Sequence, residues 1–165
     1  MAGAWGWHPD GWLLTEFGYH DVGASGVVHA VAGFFTLGVL MNLGARKGKF
    51  IDGVPQIISP HSLPMTLIGL MMIIFGFFGF LGGCIIFNGG ETVWTTIYGT
   101  PTNLSAFAFN TLMGFAGGII GCYIATRDPF WTMSGGLVGI ISVAAGLDIY
   151  SPSLAFIIAV TTGIV

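Results

Sequence analysis

Asp21, Ser25 and His29 follow one another at four-residue intervals at the mouth of a long apolar run, Asp-Val-Gly-Ala-Ser-Gly-Val-Val-His. If the run is a membrane helix rising about 1.5 Å per residue, His29 lies roughly 12 Å below Asp21, near the middle of a hydrocarbon core about 30 Å thick. An imidazole at that depth can line a transport path, relay protons or ligate a metal-bearing group. The plainer alternative is a ring satisfied by a neighbouring backbone carbonyl. Spacing of i, i+4, i+8 would set all three polar groups on one helix face, which should look into the protein and not at lipid. No nucleophile, acid–base pair or phosphate loop occurs at catalytic spacing, so an enzyme is not expected.

The elements that position these residues are membrane elements. Of 165 residues, 54% are hydrophobic and 7% charged, against about 25% charged in ordinary soluble domains. This composition reads as a polytopic, all-α transmembrane bundle. A net charge of −3 over so few charges offers no basic surface for nucleic acid. The expected surroundings are the lipid bilayer and other membrane subunits or copies of the same chain. Cys84 and Cys122 fall at opposite membrane sides if successive runs are antiparallel, so they should stay reduced, and two thiols without Cys or His neighbours make no zinc site. No cofactor or metal is expected. The N-terminus lacks Lys and Arg before Arg46 and has no short apolar core with a cleavage site, so no signal peptide is read there.

Residues 1–20 hold Trp5, Trp7, Trp12, Phe17 and Tyr19 and read as an aromatic-rich external tail anchored at the interface. Residues 21–165 form the bundle, with runs at about 21–43, 62–87, 103–125, 131–147 and 153–165 and breakers between them. All four cations, Arg46, Lys47, Lys49 and Arg127, lie in the first and third connections. Five alternating crossings and the positive-inside rule then place the N-terminus outside. The last run spans only roughly 20 Å, too little to cross, which implies a fragment or a helix completed by another chain. Small-xxx-small pairs (Gly79 with Gly83, Gly117 with Gly121, Gly135 with Gly139) suggest helices in near contact.

The order of motifs resembles the ammonium transporter and Rhesus family. Asp21 to His29 is similar to the family's Asp-Phe-Ala-Gly-Ser-Gly-Val-Val-His on its fifth helix, and Gly44-Ala45-Arg46-Lys47-Gly48-Lys49-Phe50 to the loop after it. His61-Ser62-Leu63-Pro64-Met65 resembles the entry to helix six, Phe107 to Thr111 the Phe-x-Asn-Thr of helix seven, and Ser134 to Gly139 the Ser-Gly stretch of helix eight.

The resemblance implies half of an ammonium-transporter-like fold, helices five to nine of a family with about eleven. It implies pore residues at His29, with Ser25 on its face, and at Phe80, and helix-start or loop roles for Asp21, His61 and Arg46. In Gly76-Phe77-Phe78-Gly79-Phe80-Leu81 the family's Trp and Asn are replaced by Phe77 and Leu81, and no second His follows His61 to pair with His29. Three functions are compatible with these residues. The first expectation is a non-conducting structural or accessory subunit of a larger membrane assembly, motivated by the half-length match and by Leu81. The second is an ammonium or ammonia channel whose other half comes from elsewhere, and the third, a minor one, is ligation of a pigment or haem by His29.

Overall fold

The computed structural model describes residues 1–87, 93–95 and 101–165; the connection expected over 88–101 falls almost wholly outside them. The chain is helical, in keeping with its composition, with two small β-hairpins in connections. Four segments, Ser25–Leu43, Leu63–Cys84, Leu104–Thr126 and Pro129–Gly146, are long and apolar enough to cross a membrane, and Pro152–Ile164 is a shorter apolar helix. This is a multi-pass integral membrane protein.

The N-terminal segment folds into two short helices, α1 (Ala2–Gly6) and α2 (Trp12–Phe17), the second closed by Gly18 in the left-handed region. A π-helical turn, Ser25–Ala30, leads into α3 (Val31–Leu43), which Gly44 ends at φ +71°. The hairpin of β1 (Phe50–Ile51) and β2 (Val54–Pro55) turns through Asp52 and Gly53, both at positive φ. Then come α4 (Leu63–Phe87), the hairpin of β3 (Val93–Thr95) with β4 (Pro101–Asn103), α5 (Leu104–Thr126), α6 (Pro129–Val143) and α7 (Pro152–Ile164).

Helix starts follow local chemistry. Asn103 Oδ1 accepts from the Ala106 N–H at 3.0 Å, Asp128 Oδ1 from Trp131 at 3.0 Å and Ser151 Oγ from Leu154 at 3.4 Å. Each cap satisfies a backbone donor that the helix cannot. Pro129 and Pro152 follow the latter two caps, where a missing N–H costs nothing.

α5 is the central helix, packed along both α6 and α7, which also touch each other. The approach is close because the touching residues are glycines. A Cβ added at Gly118 would lie 2.7 Å from Gly139 Cα, and one at Gly139 would lie 2.6 Å from Gly118 Cα. One at Gly135 would meet Cys122 Sγ at 2.6 Å, one at Gly117 would meet Ala159 Cβ at 2.7 Å, and one at Gly121 would meet Gly163 Cα at 3.0 Å. In lipid, where apolar side chains gain little by meeting one another, such backbone contact is the source of association. Gly79 and Gly83 do not take part: nothing in the described structure lies within 4 Å of a Cβ at either. Among the described residues their face of α4 is open, and the expected packing there is not seen.

The core joins Leu81 of α4 and Val22 to Phe107, Phe115, Ile140, Val143, Leu147, Ala155 and Ala159. Only the later part of α4 reaches it; Met71, Met72 and Phe75 are exposed. No residue of α3 is buried. The last three helices thus form a tight unit, while α3 and the first turns of α4 extend from it.

Candidate functional site

The stretch from Tyr19 to Ala30 corrects one expectation. Asp21, Ser25 and His29 do not form a stripe on one helix, because residues 21–24 bend ahead of it, with Ala24 at φ +66°, and the helix starts at Ser25 in a wider π turn. Asp21 instead turns back on that start. Its Oδ1 accepts from Ser25 N–H at 2.7 Å, and its Oδ2 from Gly26 N–H at 2.8 Å, Val27 N–H at 2.9 Å and the Tyr19 hydroxyl at 2.8 Å. Its own backbone carbonyl accepts from Trp7 Nε1 at 2.8 Å. A buried carboxylate gathering the first N–H groups of a helix is stabilised by those donors and by the positive end of the dipole. The aromatic N-terminal segment is thereby tied to the helix that carries His29.

Ser25 does face the protein. Its hydroxyl donates to the Ile141 carbonyl on α6 at 2.6 Å, a bond to protein backbone and not to a pathway. One turn on, His29 Nδ1 lies 2.9 Å from the Ala24 carbonyl, which also accepts from the His29 backbone N–H at 3.2 Å. A carbonyl only accepts, so Nδ1 carries a proton, and whenever the ring is neutral Nε2 is the nitrogen that keeps its lone pair. Among the described residues Nε2 has no hydrogen-bond partner. The carbonyl bond that could have been the whole explanation of this histidine therefore occupies one nitrogen and sets the tautomer of the other.

Two phenylalanines frame the ring and a third backs one of them. Phe77 lies parallel to it with centroids 6.0 Å apart and Phe80 stands edge-on at 6.1 Å. Phe77 also meets Phe80 at 5.8 Å and Phe115 of α5 at 5.7 Å. The series anchors a half-buried imidazole to the core, and Phe80 is itself 40% exposed on the open side. Leu81, the next residue, is fully buried among core side chains. The replacement of an amide by Leu81 therefore acts on packing and not on the surface that His29 and Phe80 share.

Other residues singled out in the sequence lie elsewhere. Arg46 and His61 line a cavity at the opposite end of α3 and α4 from Asp21, with Asp128 and Trp131. Two groups beside Asp21 had no sequence signal. His20 Nε2 lies 3.0 Å from Asp148 Oδ1, an almost fully buried carboxylate in the α6–α7 connection. That bond to Asp148 raises the His20 pKa above its ordinary value; burial opposes it, and the charges of Asp148 and Asp21 add to it. Burial, then the bond to Asp21, pushes the Tyr19 phenol up. The partners in the first pair are 128 positions apart, so no local pattern could link them. Asn110, inside the Phe107 to Thr111 motif, donates to the carbonyls of Leu147 at 2.9 Å and Tyr150 at 2.7 Å and so holds the same connection. Among the described residues no three His, Cys, Asp or Glu side chains cluster as metal ligands.

The sequence pattern of the Ammonium Transporter Family matches residues 1–165. This chain belongs to the ammonium transporter family. The family is one of transport proteins and not of enzymes. Among its members, the ammonium transporter Amt1 of Methanocaldococcus jannaschii is 35% identical over 157 residues, covering 93% of this chain and 37% of the relative. Amt2 of the same organism is 32% identical over 154 residues, 93% of this chain and 34% of the relative. Ammonium transporter 1 member 4 of Arabidopsis thaliana is 29% identical over 171 residues, 93% and 34% of the two chains. The chain thus spans about a third of the length of these curated ammonium transporters. No solved structure matches it.

Proposed function

We propose that this chain forms one wall of a membrane pathway for ammonium or ammonia. His29 offers its Nε2 to the permeant species, and Phe80 and Phe77 frame it. The observation that carries this reading is the division of labour on the imidazole: Nδ1 is held by the Ala24 carbonyl, and Nε2, beside an exposed Phe80, has no hydrogen-bond partner among the described residues. A solute that sheds water needs hydrogen-bonding groups to replace it, and an imidazole whose Nδ1 is already committed to a carbonyl leaves one ring nitrogen to supply such a group. The relatives named above are ammonium transporters, which supports the substrate. The opposite wall then comes from a further segment, another membrane subunit or a second copy, laid against α3 and the open face of α4.

Flux of methylammonium in proteoliposomes tests the reading. The isolated chain should conduct no more than empty vesicles, because one wall does not exclude lipid. The assembly purified intact from its own membrane should conduct, and His29→Ala should abolish that conduction. An assembly that never conducts would favour the non-conducting accessory subunit, and flux unaffected by His29→Ala would refute the role of the imidazole.

The same reading places the N-terminus outside, with residues 1–20 as an aromatic anchor at the outer interface and residues 21–165 as the membrane bundle. Its support is that the two cation-bearing connections meet around one cavity, so all the cations gather at one end. Cysteine probes at the exposed positions Glu16 and Lys47 should label from outside and from inside respectively, and the reverse pattern would overturn the orientation.

A further inference from the structure

The cation-bearing end of the bundle holds a cavity of about 650 Å³ between the α3–β1 connection, the β2–α4 connection and the start of α6. Its polar lining includes Arg46, Lys49, His61 and Asp128, and Phe130 and Trp131 close one side. We propose that this cavity binds a phosphate-bearing anion, with Arg46 and Lys49 as its charged donors and His61 as a further ring donor.

The loop is built to hold those donors. The Lys49 N–H donates to the Arg46 carbonyl at 3.1 Å around Gly48, whose φ of +81° favours glycine. Gln56 N–H donates to the Lys49 carbonyl at 2.7 Å, and Lys49 Nζ donates to the Gln56 carbonyl at 3.1 Å across the hairpin. One of the three ammonium protons is thus used to fix the side chain, and two are left to meet a ligand. Among the described residues neither Arg46 nor Lys49 has a carboxylate within 4.0 Å. Asp128 is the only acid in the lining, and its Oδ1 is taken up as the cap of α6. In sequence, the two connections that carry the charged lining residues hold four cations, Arg46, Lys47, Lys49 and Arg127, and two acids, Asp52 and Asp128.

Phosphate suits this donor set better than a carboxylate. Its tetrahedral oxygens can accept a forked guanidinium and an ammonium at once, from different directions. The cavity lies where two membrane-crossing segments begin, at Leu63 and at Pro129, the level of lipid headgroups. Phe130 and Trp131 there are of the kind that settles at that interface. The phosphate can therefore come from an anionic lipid or from solution, and the same residues would serve both.

Native mass spectrometry of the full chain in mild detergent, titrated with phosphatidylglycerol, phosphatidylcholine or inorganic phosphate, tests the proposal. One phosphatidylglycerol should be retained more tightly than phosphatidylcholine. Arg46→Gln with Lys49→Gln should weaken it at least about tenfold, the scale of lost charged hydrogen bonds. Lys47→Gln, in the same loop but outside the lining, should leave it unchanged. Asp128→Asn keeps a good helix cap while removing the acid, and should tighten binding, a gain that misfolding cannot produce. Displacement of the lipid by inorganic phosphate would assign the site to a soluble anion, and resistance to displacement would assign it to lipid. Equal retention of phosphatidylcholine, equal loss with Lys47→Gln, or no gain with Asp128→Asn would overturn the site.

Discussion

Removing the Asp21 carboxylate should do more damage than any other single change in the N-terminal half. In Asp21→Ala the N–H groups of Ser25, Gly26 and Val27 and the Tyr19 hydroxyl all lose their acceptor. A hydrogen bond to a charged group contributes about 1.5–3 kcal/mol, and an orphaned buried donor costs about 1–3 kcal/mol. Water reaching the outer end of the π turn offsets part of this, so the net loss is about 3–5 kcal/mol. Asp21→Asn discriminates further. With its amide oxygen in the place of Oδ2 it keeps three of the four bonds, and its NH2 then faces the Ser25 N–H, for a loss of about 1–2 kcal/mol. Tyr19→Phe removes one donor and no acceptor, and should cost less than either. Equilibrium unfolding in mixed micelles, followed by tryptophan fluorescence, gives the order. A cost for Asp21→Ala under about 1 kcal/mol, or equal costs for Asn and Ala, would show that the carboxylate does not hold the helix start.

Three further outcomes follow from particular contacts. The His20–Asp148 pair raises the folded pKa of His20, so its contribution is complete below the ordinary histidine value of about 6.5 and fades as pH rises through the higher folded value. With His20 half-exposed, the wild-type advantage over His20→Gln should be under about 1 kcal/mol at low pH and shrink as pH increases; an advantage growing with pH would refute the pairing. Gly118→Ala and Gly139→Ala each force a Cβ into the facing backbone of α5 or α6 and should cost about 1–3 kcal/mol in the same unfolding assay. Gly83→Ala, which meets nothing within 4 Å, should be neutral or stabilising by up to about 1 kcal/mol. Leu81→Asn, although it restores the amide of the family pattern, would place that amide in a core with no exposure and should destabilise by about 1–3 kcal/mol.

Sequence alone determined the solvent, the element type and the family. With 7% charged residues the chain has to live in lipid, and in lipid only helices and closed barrels satisfy every backbone group. At Asp128-Pro129 and Ser151-Pro152 the sequence reading took only a break between apolar runs, and the structure shows a cap at each, with its N–H three residues on. The glycine pairs of α5 and α6 were legible as close-packing residues from their spacing, but not which pairs would be used. Gly79–Gly83 has the same spacing as Gly135–Gly139 and meets none of the described residues, since small residues permit contact without choosing the neighbour. The Asp21, Ser25, His29 periodicity misled because a regular helix was assumed through Ala24, and the left-handed turn there converts a stripe into a cap. Only the tertiary structure decided what each polar group does. It gave Ser25 to the Ile141 carbonyl, His20 to Asp148 and Nδ1 of His29 to Ala24, and it buried Leu81 while leaving Phe80 open. Those outcomes depend on residues brought together from positions up to 128 apart, and distance along the chain carries no information about such neighbours until the helices have packed.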